Sequence, residues 1–261
     1  MSQAELLLYA VLPYAALTAF AVGHWWRYRT DQYGWGARST QLLESRVLRF
    51  ASITFHLGVL AAIGGHVLGL LVPASWTAAV GINDEAYHVI AVIGGLGAGG
   101  AVVVGFAALV YRRARFPRVR VTTTRMDVTI FALLGVGIVT GVLATITNFG
   151  DSVHYRETVA PYFRQLFILD PEPELMTGGG VTFIFQLHVV SVWFLFALWP
   201  FSRLVHAWSI PIDYLRRSPI VYRTRGPRGR AVEGNAALRA LKTESKPEGH
   251  DPAGASPAVR R

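Results

Sequence analysis

The chain has 261 residues, of which 52% are hydrophobic and 16% charged, with a mean hydropathy of +0.37 and a formal net charge of +9. Such a composition favours a membrane protein over a soluble domain. Because the sequence contains no cysteine, disulfides, thiolate metal sites, iron–sulfur ligation and a cysteine nucleophile are excluded in this chain. The basic residues are grouped between apolar segments rather than spread over a folded basic face, which argues against a nucleic-acid partner.

Five apolar stretches are long enough to cross a bilayer, whose hydrocarbon core needs about 20 helical residues. The first stretch lacks the basic start and the small-residue cleavage site of a signal peptide, so we expect it to be retained as a span. The predicted fold class is therefore all-α, an integral membrane bundle of five transmembrane helices. In chain order these helices are expected over about residues 4–25, 47–72, 87–111, 127–149 and 181–208.

The distribution of arginine and lysine predicts the orientation of the bundle. The joining loops near 27–46 and 112–126 are rich in arginine, whereas 73–86 has neither Lys nor Arg and 150–180 has two arginines beside five acidic residues. Positively charged loops stay on the cytoplasmic side. The N-terminus is thus predicted outside and the C-terminus in the cytoplasm, in a multi-pass protein of the cell (inner or plasma) membrane.

Two regions are expected from the composition. Residues 1–225 form the five-helix transmembrane domain. Residues 226–261 are rich in glycine, proline, alanine and charge, with almost nothing to bury, and are predicted to be a disordered cytoplasmic tail.

Four histidines fall inside predicted spans, His56 and His66 on the second and His188 and His206 on the fifth. Each buried imidazole must find a partner, because an unpaired polar group in the membrane is costly. Haem iron offers two axial positions, and a neutral imidazole nitrogen can fill either one. The four histidines are therefore candidate ligands of two haems.

The opposite directions of the two spans predict which histidines meet. His56 is expected opposite His206 near the inner face, and His66 opposite His188 nearer the outer face. The 10 residues from His56 to His66 rise about 15 Å, whereas the 18 residues from His188 to His206 rise about 27 Å if the helix is continuous. We expect helix tilt and a bend at Pro200, which lacks a backbone donor, to absorb this difference.

Other candidate site residues lie near the same histidines. Arg203, Arg112 and Arg49 could bind haem propionates at the inner surface, Arg203 being the first choice because it is one turn from His206. The alternative is that these arginines only set the topology. His88 opens the third span near the depth of His66. It could accept a proton from a quinol that approaches over Gly65, or it could be an ordinary interfacial histidine.

Four motifs stand out along the chain: Trp26-Arg27-Tyr28 through Gln32-Tyr33, Phe55-His56-x-Gly58 with Gly65-His66-x-x-Gly69, Pro117-Arg118-Val119-Arg120-x-Thr122-Thr123-Thr124, and Pro200-Phe201-Ser202-Arg203-Leu204-x-His206-x-Trp208-Ser209-x-Pro211. In these motifs the sequence resembles the gamma subunit of respiratory nitrate reductase, a membrane cytochrome b subunit, over roughly residues 4–225. Near the start of the third span the family pattern has a basic residue, where this chain has Ala86-Tyr87-His88.

The resemblance implies electron transport in anaerobic respiration or nitrate assimilation. It implies two b haems as cofactors, one on His56 and His206 at the inner side and one on His66 and His188 at the outer side, with quinol or menaquinol as substrate. The implied partners are an iron–sulfur beta subunit and a molybdenum alpha subunit on the cytoplasmic face. The chain would then be the quinol-oxidising subunit of the complex, without a nitrate-reducing site of its own.

Two other interpretations remain open from the residues. A dihaem cytochrome b subunit of a formate dehydrogenase or a hydrogenase would use the same ligand chemistry with a different soluble partner. A cofactor-free proton-coupled transporter would pair its histidines with acids inside the membrane, and Asp127, at the start of a span, is the only candidate acid.

Overall fold

The computed structural model describes residues 2–150 and 153–208. Within these residues all regular secondary structure is helical, and five helices are long and apolar enough to cross a membrane. The predicted all-α bundle of five transmembrane helices is thereby confirmed. The predicted tail, 226–261, lies outside the described residues. We call the five helices spans 1 to 5; they are Gln3–Thr30, Arg46–Leu71, Asp84–Arg115, Arg125–Thr147 and Phe183–Phe201.

Local sequence explains where three of the spans begin. The Ser2 hydroxyl accepts from the Glu5 amide, and the Glu5 carboxylate accepts from the Ser2 amide. Thr124 and Asp127 make the same reciprocal pair at the start of span 4. The Asn83 side chain accepts from a first-turn amide of span 3. These side chains satisfy amides that a helix start leaves without an intrahelical partner.

Spans 2 and 3 pack closely because each presents a glycine to the other. A Cβ atom on Gly58 would lie 2.8 Å from the Val102 amide nitrogen, and one on Gly105 would lie 2.5 Å from the Phe55 amide nitrogen. No side chain fits so near a backbone without displacing it, so both positions require glycine. Small residues at such a contact let transmembrane helices approach each other. This contact orients span 2, which contains two of the four candidate histidines.

The two ends of the bundle differ in charge. We call the end formed by residues 27–49 and 112–125, which contain eleven arginines, the arginine-rich end, and the end formed by 72–83, 148–150 and 153–182, which contain two, the arginine-poor end. Between them the spans expose many large apolar side chains, and only 11–22% of the most apolar window of each span is buried inside the protein. Lipid is the environment in which such a surface is stable.

Span 5 ends in a break that shortens it relative to the prediction. The α-helix Phe183–Leu198 passes into a 3-10 turn, Trp199–Phe201, after which Ser202 is extended with a ψ of −177°. A second 3-10 helix, Arg203–Trp208, follows. The predicted single helix through this region is therefore corrected. Pro200 supplies no backbone N–H to continue the helix, and the extended residue redirects the chain.

The region between spans 4 and 5 contributes to the core at the arginine-poor end. It contains the helix Val159–Phe167, which we call the loop helix. One side of the loop helix is buried against spans 1 and 5, so the region is a packed part of the bundle. The core cluster consists of Tyr9, Ala16, Val153, Val159, Tyr162, Leu166, Met176, Val181, Val189 and Trp193.

Candidate functional site

The structure brings the four span histidines together in two pairs. The ring centroids of His56 and His206 are 5.9 Å apart, and those of His66 and His188 are 6.0 Å apart. These are the two contacts that the sequence predicts. The break after Pro200 explains how both form, since His206 lies on a separate short helix and not on the rigid continuation of span 5.

Each of the four imidazoles uses its Nδ1 atom in the same way. A backbone carbonyl accepts from every Nδ1, which fixes the ring orientation and leaves Nε2 as the nitrogen with a lone pair. This arrangement is typical of metal-ligating histidines. The Nδ1–oxygen distances are 2.7 Å for His56 to Ser52, 2.7 Å for His66 to Ala62, 2.9 Å for His188 to Gly137 and 2.6 Å for His206 to Arg203.

The geometry of the pairs fits a haem. Two imidazoles that bind one metal ion from opposite sides, each through a nitrogen at about 2 Å, have ring centroids about 6 Å apart. In the part of the chain that the structure describes, no group of three or more His, Cys, Asp or Glu side chains could hold a metal ion. Two protein donors per site suit a metal whose other ligands come from a flat macrocycle.

Glycines border both imidazoles of the pair formed by His66 and His188. Cβ atoms placed on Gly64 and Gly65, just before His66, would meet nothing within 4 Å. A Cβ atom on Gly141 of span 4, by contrast, would lie 2.9 Å from Cε1 of His188. The first two leave a smooth helix surface beside one imidazole, and the third lets the opposite imidazole sit against the backbone of span 4.

The Gly141 contact predicts a specific effect of a single methyl group. Gly141→Ala is expected to displace His188 and to destabilise the protein by about 1–3 kcal/mol, because the site is already filled. Gly135→Ala, in the same span, is the matched control, since its Cβ would meet Phe106 at an ordinary 3.6 Å. Thermal unfolding in detergent measures both variants. Equal unfolding temperatures for the two would contradict the crowding argument.

Arg203 is placed near His206, as the sequence predicts, but it also has a structural partner. Its guanidinium pairs with the buried Asp127 carboxylate at 2.7 Å through both Nε and Nη2. Arg113 approaches the same carboxylate at 3.6 Å. A third donor of Arg203 reaches the Arg38 carbonyl at 3.2 Å. Arg203 therefore joins the start of span 4 to the short helix that positions His206.

The guanidinium of Arg112 makes most of its possible hydrogen bonds with residues of the loop after span 1. Its buried guanidinium donates to the Glu44 carboxylate and carbonyl, both at 2.7 Å, and to the Thr40 hydroxyl and carbonyl, both at 2.9 Å. Burial alone would raise the pKa of Glu44, but hydrogen bonds from the Val47 amide and from Arg112 outweigh it and lower that pKa. We therefore treat Arg112 as a structural residue that ties the loop after span 1 to the end of span 3.

Arg49 and His88 are placed at opposite ends of the bundle. Arg49 is exposed and lies two turns before His56 on the same face of span 2. His88 is half-buried in the second turn of span 3, and its Nε2 is 3.3 Å from the Phe149 carbonyl at the end of span 4. Gly65 is exposed beside His66.

Two arginines matter more than the sequence indicates. Arg27, which in the sequence belongs to a basic loop and to the motif Trp26-Arg27-Tyr28, donates to the Pro200 and Ser202 carbonyls at 2.6 and 2.8 Å and so holds the break of span 5. Arg156 lies over the Tyr87 ring, 3.9 Å from its centroid, and pairs with Asp84 at 2.9 Å. It thus places a cation beside Ala86-Tyr87-His88. The contacts of both arginines join residues far apart in sequence, so no local signal marks them.

Comparisons with known proteins identify the family of the chain. The sequence matches the family described as nitrate reductase gamma subunit over residues 5–225. It is similar to the nitrate reductase-like protein NarX of Mycobacterium tuberculosis (strain ATCC 25618 / H37Rv), with 46% identity over 222 residues, 84% of this chain and 34% of that protein. The chain thus spans about a third of the length of NarX.

Two further relatives match over nearly their whole length. The nitrate reductase gamma chain of Bacillus subtilis (strain 168) is 42% identical over 220 residues, 84% of this chain and 98% of its own. The respiratory nitrate reductase 1 gamma chain of Escherichia coli (strain K12) is 35% identical over 222 residues, 85% of this chain and 98% of its own.

Proposed function

This chain belongs to the nitrate reductase gamma subunit family, and from that membership we propose that it is the membrane cytochrome b subunit of a quinol-dependent respiratory nitrate reductase. The observation that supports this proposal most directly is the two His–His contacts of span 2, at 5.9 Å with the short helix Arg203–Trp208 and at 6.0 Å with span 5. Each contact provides two oriented imidazoles and leaves their Nε2 atoms available for iron.

In this proposal His56 and His206 hold one haem iron, and His66 and His188 hold the other. When bound, each haem b supplies a one-electron carrier. The Nδ1–carbonyl bonds keep the four rings in their binding orientation. The exposed Arg49 and the Asp127-bound Arg203 lie at the arginine-rich end, where they would offer cationic partners to haem propionates.

Quinol oxidation is proposed at the arginine-poor end, near His66. The exposed Gly65 leaves room for a flat quinol ring, and His88 is the candidate acceptor of a quinol proton. We place this end outside the cell membrane and the arginine-rich end in the cytoplasm. Protons are then released outside while electrons are delivered inside. This separation works against the membrane potential, at about 2.3 kcal/mol per elementary charge and 100 mV.

The proposed partners are an iron–sulfur beta subunit and a molybdenum alpha subunit at the arginine-rich end. The exposed arginines of residues 115–125 offer the beta subunit a basic surface there. Nitrate reduction belongs to the alpha subunit in this proposal. The family match favours a nitrate reductase over a formate dehydrogenase or hydrogenase complex. A cofactor-free transporter has less support, because Asp127 is paired with Arg203 rather than with a histidine.

The experiment that tests the proposal is a haem measurement on the purified chain. We expect two b haems per chain by pyridine haemochrome, and a b-type difference spectrum when quinol is added under anaerobic conditions. Absence of haem from well-folded protein would overturn the cytochrome function. Haem that dithionite reduces but no quinol reduces would overturn only the quinol-oxidising part.

A further inference from the structure

The loop helix lies alongside the membrane-crossing parts of two spans. The Tyr162 hydroxyl donates to the Tyr9 carbonyl of span 1 at 2.9 Å, and the Tyr162 side chain is fully buried. Its neighbour Phe163 stacks on Trp193, with ring centroids 5.9 Å apart. Trp193 is ten residues, or about 15 Å, from the start of span 5. The loop helix therefore descends into the bundle.

The end of the loop helix reaches deeper than the headgroup layer. The Tyr14 hydroxyl donates to the Leu166 carbonyl at 3.1 Å. Tyr14 is eleven residues after Gln3, about 16 Å into span 1, and helical side chains point back toward the N-terminus. The Leu166 carbonyl is then on the order of 10 Å below the start of span 1. The polar layer on each side of a bilayer is about 5–7 Å thick.

Three consecutive residues of this turn expose large apolar side chains, and the exposed Asp170 follows them. Phe167, Ile168 and Leu169 are 69%, 71% and 77% exposed. Three such residues in a row are a liability in water. Among acyl chains such residues are stable, as are the exposed apolar side chains of the spans.

The backbone of the turn supports the same conclusion. Leu169 has a φ of 63°, in the left-handed region where a side chain is strained. It follows the C-terminus of the loop helix, the position at which glycine is strongly favoured. A turn with no other role would be more stable with glycine. Leucine adds an apolar side chain that faces outward from the protein.

Three hydrogen bonds hold the hairpin together and to span 2. The Gln165 side chain donates to the Glu172 carboxylate at 2.6 Å, which joins the two limbs. The Asp170 amide donates to the Gln165 carbonyl at 3.1 Å. Arg164 donates to the Leu70 carbonyl, near the end of span 2, at 3.2 Å. Its charge is thereby drawn toward the arginine-poor membrane surface.

From these observations we infer that residues 159–177 form a re-entrant hairpin whose tip, residues 167–169, is inserted among the lipid acyl chains at the arginine-poor end. The ligand of this surface is the hydrocarbon of the bilayer itself. The inference does not depend on the proposed function, because none of its residues is a candidate haem or quinol residue.

The absence of cysteine from the sequence allows a direct test with single labels. Ile168→Cys and, as matched control, Glu157→Cys would be labelled with bimane in the full chain and reconstituted in vesicles whose lipids have brominated acyl chains. Both native side chains are exposed, so neither substitution disturbs the core. The label at position 168 is expected to lose most of its fluorescence to the bromolipid and little to aqueous iodide, with the opposite result at 157.

Two results would overturn the inference. Strong iodide quenching at position 168 would place the tip in water. Protection from both quenchers would mean that protein covers the tip. Phe167→Cys repeats the measurement one residue away, so that a single misfolded variant does not decide the outcome.

Discussion

His188→Ala is expected to reduce the haem content of the purified chain from two b haems to one. The variant removes one of the two imidazoles whose ring centroids are 6.0 Å apart, while the pair 5.9 Å apart is untouched. A haem with one protein ligand in place of two is held much more weakly. Pyridine haemochrome quantification measures the loss, and the difference spectrum shows which of the two components remains.

His56→Ala is the reciprocal variant and is expected to lose the other haem. His154→Ala, a histidine exposed between spans 4 and 5, serves as the matched control and should retain both. If His56→Ala and His188→Ala lost the same spectral component in folded protein, the assignment of two separate pairs would be contradicted.

Arg27→Ala is expected to lower the free energy of unfolding by roughly 3 kcal/mol and to release the haem held by His56 and His206. The Arg27 guanidinium is the donor to the Pro200 and Ser202 carbonyls, in a buried position. Each buried acceptor left without a donor costs about 1–3 kcal/mol. Without these bonds the break of span 5 is no longer fixed, and His206 follows it.

Denaturation in detergent and haem quantification measure the two effects of Arg27→Ala. Arg29→Ala is the matched control, since Arg29 is exposed two residues later in the same helix. Arg27→Lys should be intermediate, because an ammonium group can replace the Nη1 donor to the Pro200 and Ser202 carbonyls but cannot also reach the Gly34 carbonyl, which accepts from Nη2. Preferential loss of the haem held by His66 and His188 would contradict the role assigned to Arg27.

The sequence by itself determined the five spans and which histidines meet. Spans could be predicted because the bilayer imposes a local requirement, about 20 consecutive apolar residues in helical form, that hydropathy measures directly. The contacts of His56 with His206 and of His66 with His188 followed from the alternating direction of the spans. Topology alone orders residues along the membrane normal, so side-chain detail was not needed.

The tertiary structure decided the break of span 5, the re-entrant course of the loop helix and the partners of the arginines. Proline predicts a bend, but the sharp break depends on Arg27, 173 residues before Pro200. Arg112 and Arg203 both resemble topological charges in sequence, yet one is enclosed by Glu44 and Thr40 and the other is paired with Asp127. The physical reason is that a long cationic side chain takes its role from the acceptors that folding brings within reach, and these are distant in the chain.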